Sequence, residues 1–334
     1  MRALAVLTVR NEGAFLLEWL AHHKAVGFTD FLVFSNDCDD GTDAMLDRLQ
    51  SLGHLTHLRN DGPHEGGVQW AALKQADRHP LVRQADWILP LDVDEFVNIH
   101  VGDHTLPALL AALPRATAIT LTWRLFGNGG VVRYDDRPVT EQFTRAAPAV
   151  IYWPWRATMF KTLYRNDGTY GKLGVHRPRS PDASRIGQTA WFDGEGRELP
   201  EKFNRQRIFS NMGQSNTALV QLNHYPLGAM ESYIVKCDRG RAVHGGDRLG
   251  MDYWAERNFS AEEDLTIAAT APARDAALAA LKADDALARL HRDAVRWRKA
   301  RFEALMEQEP YRALFGRLLL TPPARPVPLQ AARF

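Results

Sequence analysis

Three carboxylates, Asp92, Asp94 and Glu95, crowd into four residues after the apolar run WILPL (87–91). Negative charge concentrated at the mouth of a hydrophobic strand costs free energy unless a cation sits against it. In an extended segment residues i and i+2 point the same way. The D-V-D pattern therefore predicts Asp92 and Asp94 facing a crevice and Val93 facing the core. Two carboxylates so placed form a hard-oxygen site suited to Mg²⁺ or Mn²⁺, ions that keep waters and are shared with substrate phosphates. Taken alone, D-x-D is more often an acidic turn with a helix N-cap, and Glu95 fits either support of a site or a helix cap. Its position at a strand end favours the site.

The first hundred residues supply that position. ALAVLTV (3–9) and DFLVFS (30–35) read as buried strands, HLTHL (54–58) as a short one and DWILPL (86–91) as a fourth. Between them lie helical segments at 12–27, 41–53 and 67–79. In the first, Phe15, Leu16, Trp19, Leu20, His23 and Val26 form one apolar stripe. Strands alternating with helices of this length predict right-handed crossovers and a mainly parallel α/β sheet. Such sheets bind ligands at the carboxyl ends of their strands. There the chain places Arg10, Asn11 and Glu12, then SNDCDDGT (35–42), then DVDEF (92–96). Asp37, Asp39 and Asp40 suit the base and ribose edges of a nucleoside, although Asn11 and Asp40 also fit helix N-caps.

Past residue 100 the alternation fades. ATAITLTWRLFGNGG (116–130) predicts a strand and a glycine-rich turn, and 131–225 is mixed, with an aromatic patch at IYWPWR (151–156). Residues 260–320 read as helical, with Ser260 and Glu263 as a capping box. The proline-rich end from 321 predicts disorder.

Composition narrows the class. The 334 residues carry 41 basic and 40 acidic side chains, a net charge of +1, so no overall field points to nucleic acid. Two cysteines, Cys38 and Cys237, exclude a disulfide framework and a cysteine zinc site, and fit a reducing cytoplasm. The N-terminal run is too short for a secretory signal, and no segment approaches a membrane span. The basic helix RLHRDAVRWRKARFEALM (289–306) would suit peripheral contact with anionic lipid, or simply a solvated face.

Taken together, VRNEG (9–13), SNDCDDGT, Gln69 on the third helix and WILPLDVDEF resemble family 2-like glycosyltransferases of the GT-A fold. They are most similar to the bacterial branch near the family 92, galactan synthase-like enzymes. WRLFGNGG (123–130), GVHRPR (174–179) and LNHYPLGAMESYIVKCDRGRA (222–242) look like later segments of the same family. The resemblance covers roughly residues 3–245.

It implies a GT-A domain over 1–245, with a nucleotide-sugar half (1–100) and an acceptor half (101–245), a helical extension (246–320) and a tail (321–334). It also implies a nucleotide-sugar donor, expected to be a UDP-sugar, and a glycan or glycolipid acceptor of polysaccharide biosynthesis. Val9, Arg10, Asn11, Glu12, Asp37, Asp40, Gln69 and Asp92 would line the nucleotide. Asp92, Asp94 and His224 would hold Mn²⁺ or Mg²⁺, with His176 the rival histidine, and Lys236, Arg239 and Arg241 would meet phosphate. Asp94, Glu95, His176 and Trp123 are assigned to the reaction, Trp123 at the acceptor side. Of the other middle-third tryptophans, Trp153, Trp155 and Trp191, most are expected in the core.

Inversion asks for a carboxylate base, for which Asp136, Asp193 and Glu201 are the candidates, since the usual acidic pair after D-x-D is missing. A nucleotidyltransferase would want a glycine-rich loop where VRNEG stands. The rival of another class is a non-catalytic nucleotide-sugar or carbohydrate-binding protein.

Overall fold

The computed structural model describes residues 1–240 and 249–327. Among these residues one sheet has nine strands. They are β1 (Ala3–Val9), β2 (Asp30–Ser35), β3 (Thr56–Arg59), β4 (Trp87–Leu91), β5 (Glu95–Ile99), β6 (Ala118–Leu125), β7 (Phe160–Arg165), β8 (Trp191–Asp193) and β9 (Val220–His224). The spatial order is β3-β2-β1-β4-β7-β6-β9-β5, with β8 alongside β6. Strands β3, β2, β1 and β4 run parallel, as do β8 and β9 beside β6. β7 is antiparallel to β4 and β6, and β5 to β9. The expected mainly parallel α/β architecture is present.

Helices α1 (Gly13–Ala25), α2 (Thr42–Ser51) and α3 (Val68–Ala76) fall inside the segments that periodicity marked, shorter by one to three residues at each end. The first four strands are likewise where the apolar runs put them. Parallel strands buried on both faces read as continuous apolar text, which makes them easy to find.

Three features depart from expectation. First, α1 is buried nearly all round, including Glu18, His22 and His23. Its outer face is covered by helices α4 (Ala271–Lys282) and α5 (Asp285–Met306), whose Leu281 and Leu287 join the main core with Leu16 and Leu20. Buried Glu18 is satisfied by the amides of Val139 and Thr140 (2.8 and 3.2 Å) and by the Thr140 hydroxyl. Second, Ser260–Glu263 caps no helix. Glu262–Glu263 pairs antiparallel with Arg145–Ala146, and the α-helix starts only at Ala271, because those amides are taken by a strand partner. Third, part of the tail is tied down: the Ala324 amide donates to the Asn258 carbonyl at 2.7 Å. Residues 328–334 lie outside the described ones.

The same Asn258–Phe259 segment locks the turn after β6. Asn258 accepts from the Asn128 amide at 2.9 Å, and a Cβ added at Gly127 would sit 1.9 Å from the Phe259 carbonyl oxygen. Backbone cannot retreat as a flexible side chain can. Gly127→Ala is therefore expected to cost roughly 2–3 kcal/mol of stability by overpacking. Gly129→Ala, at φ 62° with open space around it, should cost only about 1 kcal/mol. Urea unfolding of both variants measures the difference.

Candidate active site

The D-V-D segment is a turn rather than an extended strand. The Glu95 amide donates to the Asp92 carbonyl at 3.1 Å, and the Asp92 amide donates back to Glu95 Oε2 at 2.9 Å. A turn breaks the i, i+2 alternation, so the two aspartates reach different partners. Asp92 accepts from Lys161 Nζ at 2.9 Å and from Gln69 Nε2 at 3.1 Å. Asp94 accepts from Lys236 Nζ at 2.7 Å. Val93 is buried in the main core, as expected.

Glu95 is neither a helix cap nor a surface residue. It opens β5, is 0% exposed, and accepts from the Trp123 indole at 2.7 Å. Lys161 Nζ lies 3.3 Å from its other oxygen. Burial, opposed by Lys161 and reinforced by Asp92 and Asp94, pushes the Glu95 carboxyl up to about 8. At Lys161 burial works against the ammonium, but Asp92 and Glu95 outweigh it and raise its pKa to about 12. Burial also raises Asp94; Lys236 and then His224 outweigh it, leaving that carboxyl well below the usual range.

Two histidines flank Trp123, with ring centroids at 4.3 Å (His224) and 5.7 Å (His176). His224 Nε2 lies 3.7 Å from Asp94 Oδ1, and its Nδ1 is buried without a partner. His176 Nδ1 bonds the Phe160 carbonyl at 3.0 Å. That donor role places the lone pair on Nε2. Burial, with Lys161 second, lowers the His176 pKa to about 4, so the ring is neutral near pH 7.

The first two loops form the neighbouring wall. Asn11 and Asp37 both adopt left-handed backbone, at φ 53° and 43°, which these residue types tolerate best. Asn11 Oδ1 accepts from the Asp39 amide at 2.7 Å, and Asp37 accepts from the Gly62 amide at 3.2 Å. Asp40 ties the two loops together: its carboxylate takes the Gly13 amide and the Thr42 amide and hydroxyl. The Val9 carbonyl is occupied by Asn36, whereas Arg10 is exposed. Buried Glu12 is ion-paired with Arg239, which also donates to the Arg10 carbonyl. Arg241 lies outside the described residues.

A cleft of about 550 Å³, counted to its open mouth, adjoins this wall. Glu12, Asp94, Lys236 and Arg298 contribute polar lining, and Phe15, Tyr134, Phe143 and Tyr225 apolar lining. The proposed bases stand elsewhere. Asp136 is held by His291 at 2.9 Å, Asp193 by Arg197 at 2.9 Å, and Glu201 by Arg205 at 2.9 Å.

Among the described residues no group of three or more His, Cys, Asp and Glu side chains converges to hold an ion. The expected trio is present only in part: Asp94 and His224 face each other, while Asp92 is turned to Lys161 and Gln69. Lysine was the residue the sequence hid. Lys236 sits in a recognisable segment, but Lys161 lies in β7, where only its place inside the buried run FKTLY hints at a partner.

The family model described as Glycosyltransferase family 92 matches residues 6–189. A glycosyltransferase family 92 protein of Oryza sativa subsp. japonica is 26% identical over 143 residues, 41% of this chain and 23% of that protein. Another, of Ricinus communis, is 25% identical over 148 residues, 40% of this chain and 24% of that protein. The matched stretch thus spans under a quarter of either relative's length. Among solved structures, S. aureus TarS superposes on 71% of this chain and 40% of its own, at 13% identity and a TM-score of 0.36.

Lys161→Met leaves Asp92 and Glu95 without their shared donor and is expected to destabilise the fold by about 1–3 kcal/mol in chemical denaturation. Glu95 also carries a pH signature. Its folded pKa of about 8 lies above the unfolded value, so its stabilising contribution is full below the usual carboxylate range and lost as pH rises through about 8. Glu95→Gln should therefore flatten the fall in stability between pH 5 and pH 8.

Proposed function

We propose that this chain, which belongs to glycosyltransferase family 92, moves a sugar from a nucleotide sugar, a UDP-sugar in our reading, to a hydroxyl of a glycan or glycolipid. One observation carries the proposal. Asp92 and Asp94, each balanced by its own lysine, stand at the carboxyl end of a parallel strand, where α/β sheets bind ligands. Asp37 and the left-handed Asn11 loop lie at the ends of the neighbouring strands, and to them we assign the nucleoside. Lys236 and Arg239 are the cations available to a diphosphate.

The donor set fits a divalent ion, Mn²⁺ or Mg²⁺, held by Asp94 and His224. Two ligands at ~2.1 Å from one ion stand ~3–4 Å apart, which the 3.7 Å spacing of Asp94 Oδ1 and His224 Nε2 matches. Bound there, the ion would neutralise charge on the leaving diphosphate. The remaining work belongs to side chains. Lys161 and Gln69 fix Asp92, Trp123 fixes Glu95, and His176 Nε2 is the group we assign to receive the acceptor proton in an inverting transfer. Asp136, Asp193 and Glu201 are each paired with a basic side chain instead. No described helix is long and apolar enough to cross a membrane; the exposed Arg292, Arg296 and Lys299 are the side chains we assign to any lipid contact.

The test is release of nucleoside diphosphate from a panel of nucleotide sugars, with Mn²⁺ and with chelator, alongside calorimetric binding of UDP. Asp94→Asn and His224→Ala should each lower turnover ~100-fold or more and weaken metal-dependent UDP binding. Absence of nucleoside diphosphate binding under both conditions would sink the reading. Tight binding without turnover on any donor would favour the non-catalytic alternative.

A further inference from the structure

The short hairpin of Tyr170–Lys172 and Arg179–Pro181 sets Lys172 directly opposite Arg179. Like charges facing across two strands destabilise the pair. The Arg179 guanidinium lies over the Trp70 ring of α3, 4.4 Å from its centroid, and its Nε donates to the Leu173 carbonyl at 2.9 Å. Arg177 gives one N–H to the Pro178 carbonyl at 3.4 Å. Burial, joined by the repulsion of Arg179, holds Arg177 below the ordinary guanidinium range. Lys74, one turn from Trp70 on α3, and Arg78, just past its end, are both exposed.

Among the described residues none of these five cations is ion-paired. The carboxylates along the same segments are engaged: Asp167 with Arg165, Glu201 with Arg205, and Asp182 with the Ser184 amide and hydroxyl. Asp77 takes the Leu173 amide at 2.7 Å. Burial there outweighs that amide and the pull of Arg179, Lys172 and Arg78, and keeps the Asp77 carboxyl above its ordinary range. The group also borders the candidate active site. Gln69, next to Trp70, holds Asp92 at 3.1 Å, and His176, next to Arg177, packs edge-on to Trp123 at 5.7 Å.

The arrangement selects an occupant. A neutral ligand leaves the repulsion between Lys172 and Arg179 in place. Guanidinium groups match the paired oxygens of phosphate, and several cations together call for more than one negative charge. A bilayer asks for projecting cations with apolar side chains to insert. Arg177 and Arg179 are instead half-buried, and among the described residues no strongly exposed large apolar side chain belongs to α3 or the hairpin. Such side chains lie elsewhere. Trp153 and Trp155, expected in the core with Trp191, are 53% and 40% exposed against its 2%, because Ile151 and Ala157 fill the space beneath their loop. We propose that Lys74, Arg78, Lys172, Arg177 and Arg179, grouped around the Trp70 ring, form a binding site for a chain of phosphate groups. Its inner end, at Arg177, adjoins His176 and Trp123. The anion site stands on its own; that the chain belongs to the acceptor rests on the transferase reading and makes that acceptor phosphate-bearing.

The probe is inorganic tripolyphosphate, titrated calorimetrically into the full chain with UDP at saturation, so that Lys236 and Arg239 are occupied. Orthophosphate and anionic lipid vesicles are the controls. Wild type should bind tripolyphosphate ~10-fold or more tighter than orthophosphate, with affinity falling as salt rises. Lys172→Glu should lose ~10-fold or more in that binding while binding UDP as wild type does. It also places opposite charges across the hairpin, so it should unfold at no lower urea concentration than wild type, which separates lost binding from lost folding. Arg177→Gln should weaken tripolyphosphate binding as well. No tripolyphosphate bound, affinity no greater than for orthophosphate, binding unchanged in Lys172→Glu, or binding to vesicles alone overturns the site. Lys172-dependent binding in a protein that binds no nucleoside diphosphate keeps the site and removes the transferase reading instead.

Discussion

Everything around the D-V-D turn depends on compensating buried negative charge. Asp92 and Asp94 follow a strand that lies inside the sheet, beside the fully buried Glu95, and water cannot solvate all three groups. The fold answers with two ammonium groups brought from far along the chain, Lys161 on β7 and Lys236 on the helix Met230–Arg239. Lys161 is itself buried and Lys236 partly so, and an unpaired ammonium in either place would be costly. The pairing ties the turn to two distant elements through Lys161 and Lys236, as a preorganised site needs.

The C-terminal helices solve a related problem. They cover the outer face of α1, and they bring Arg298 against Glu12 and the Phe15 ring. Arg274 reaches Thr140 and Glu141, fastening the segment that also receives Glu18. The helices are therefore continuous with the core beneath the candidate nucleotide loops. Arg298 also lines the cleft, so its far side is built from sequence more than two hundred residues away.

Family membership and geometry bear on different questions. The family match places the chain among glycosyltransferases; it is silent on donor, acceptor and ion. Those are argued from side chains: Asp94 and His224 for the ion, Lys236 and Arg239 for phosphate. Trp123 holds Glu95 and lies against both His224 and His176.

The first hundred residues were legible because their strands are short apolar runs buried on both faces and their helices are punctuated by Gly41, Gly53 and Gly67. Local chemistry sufficed to place β1 to β4, and with them the aspartates, at one edge of a parallel sheet. It failed where contacts are distant in sequence. Lys161 looks like an ordinary strand lysine until β7 inserts between β4 and β6. Asp40 looks like a nucleoside contact until the Gly13 and Thr42 donors claim it, and Trp153 and Trp155 look like core until the loop turns them outward. The sequence by itself determined the sheet class and the acidic turn at its edge, because apolar periodicity and strand-end polarity are local properties. Only the tertiary structure decided which cation faces which carboxylate and which aromatic meets solvent, because those depend on strand order and on long-range packing that no short window of residues encodes.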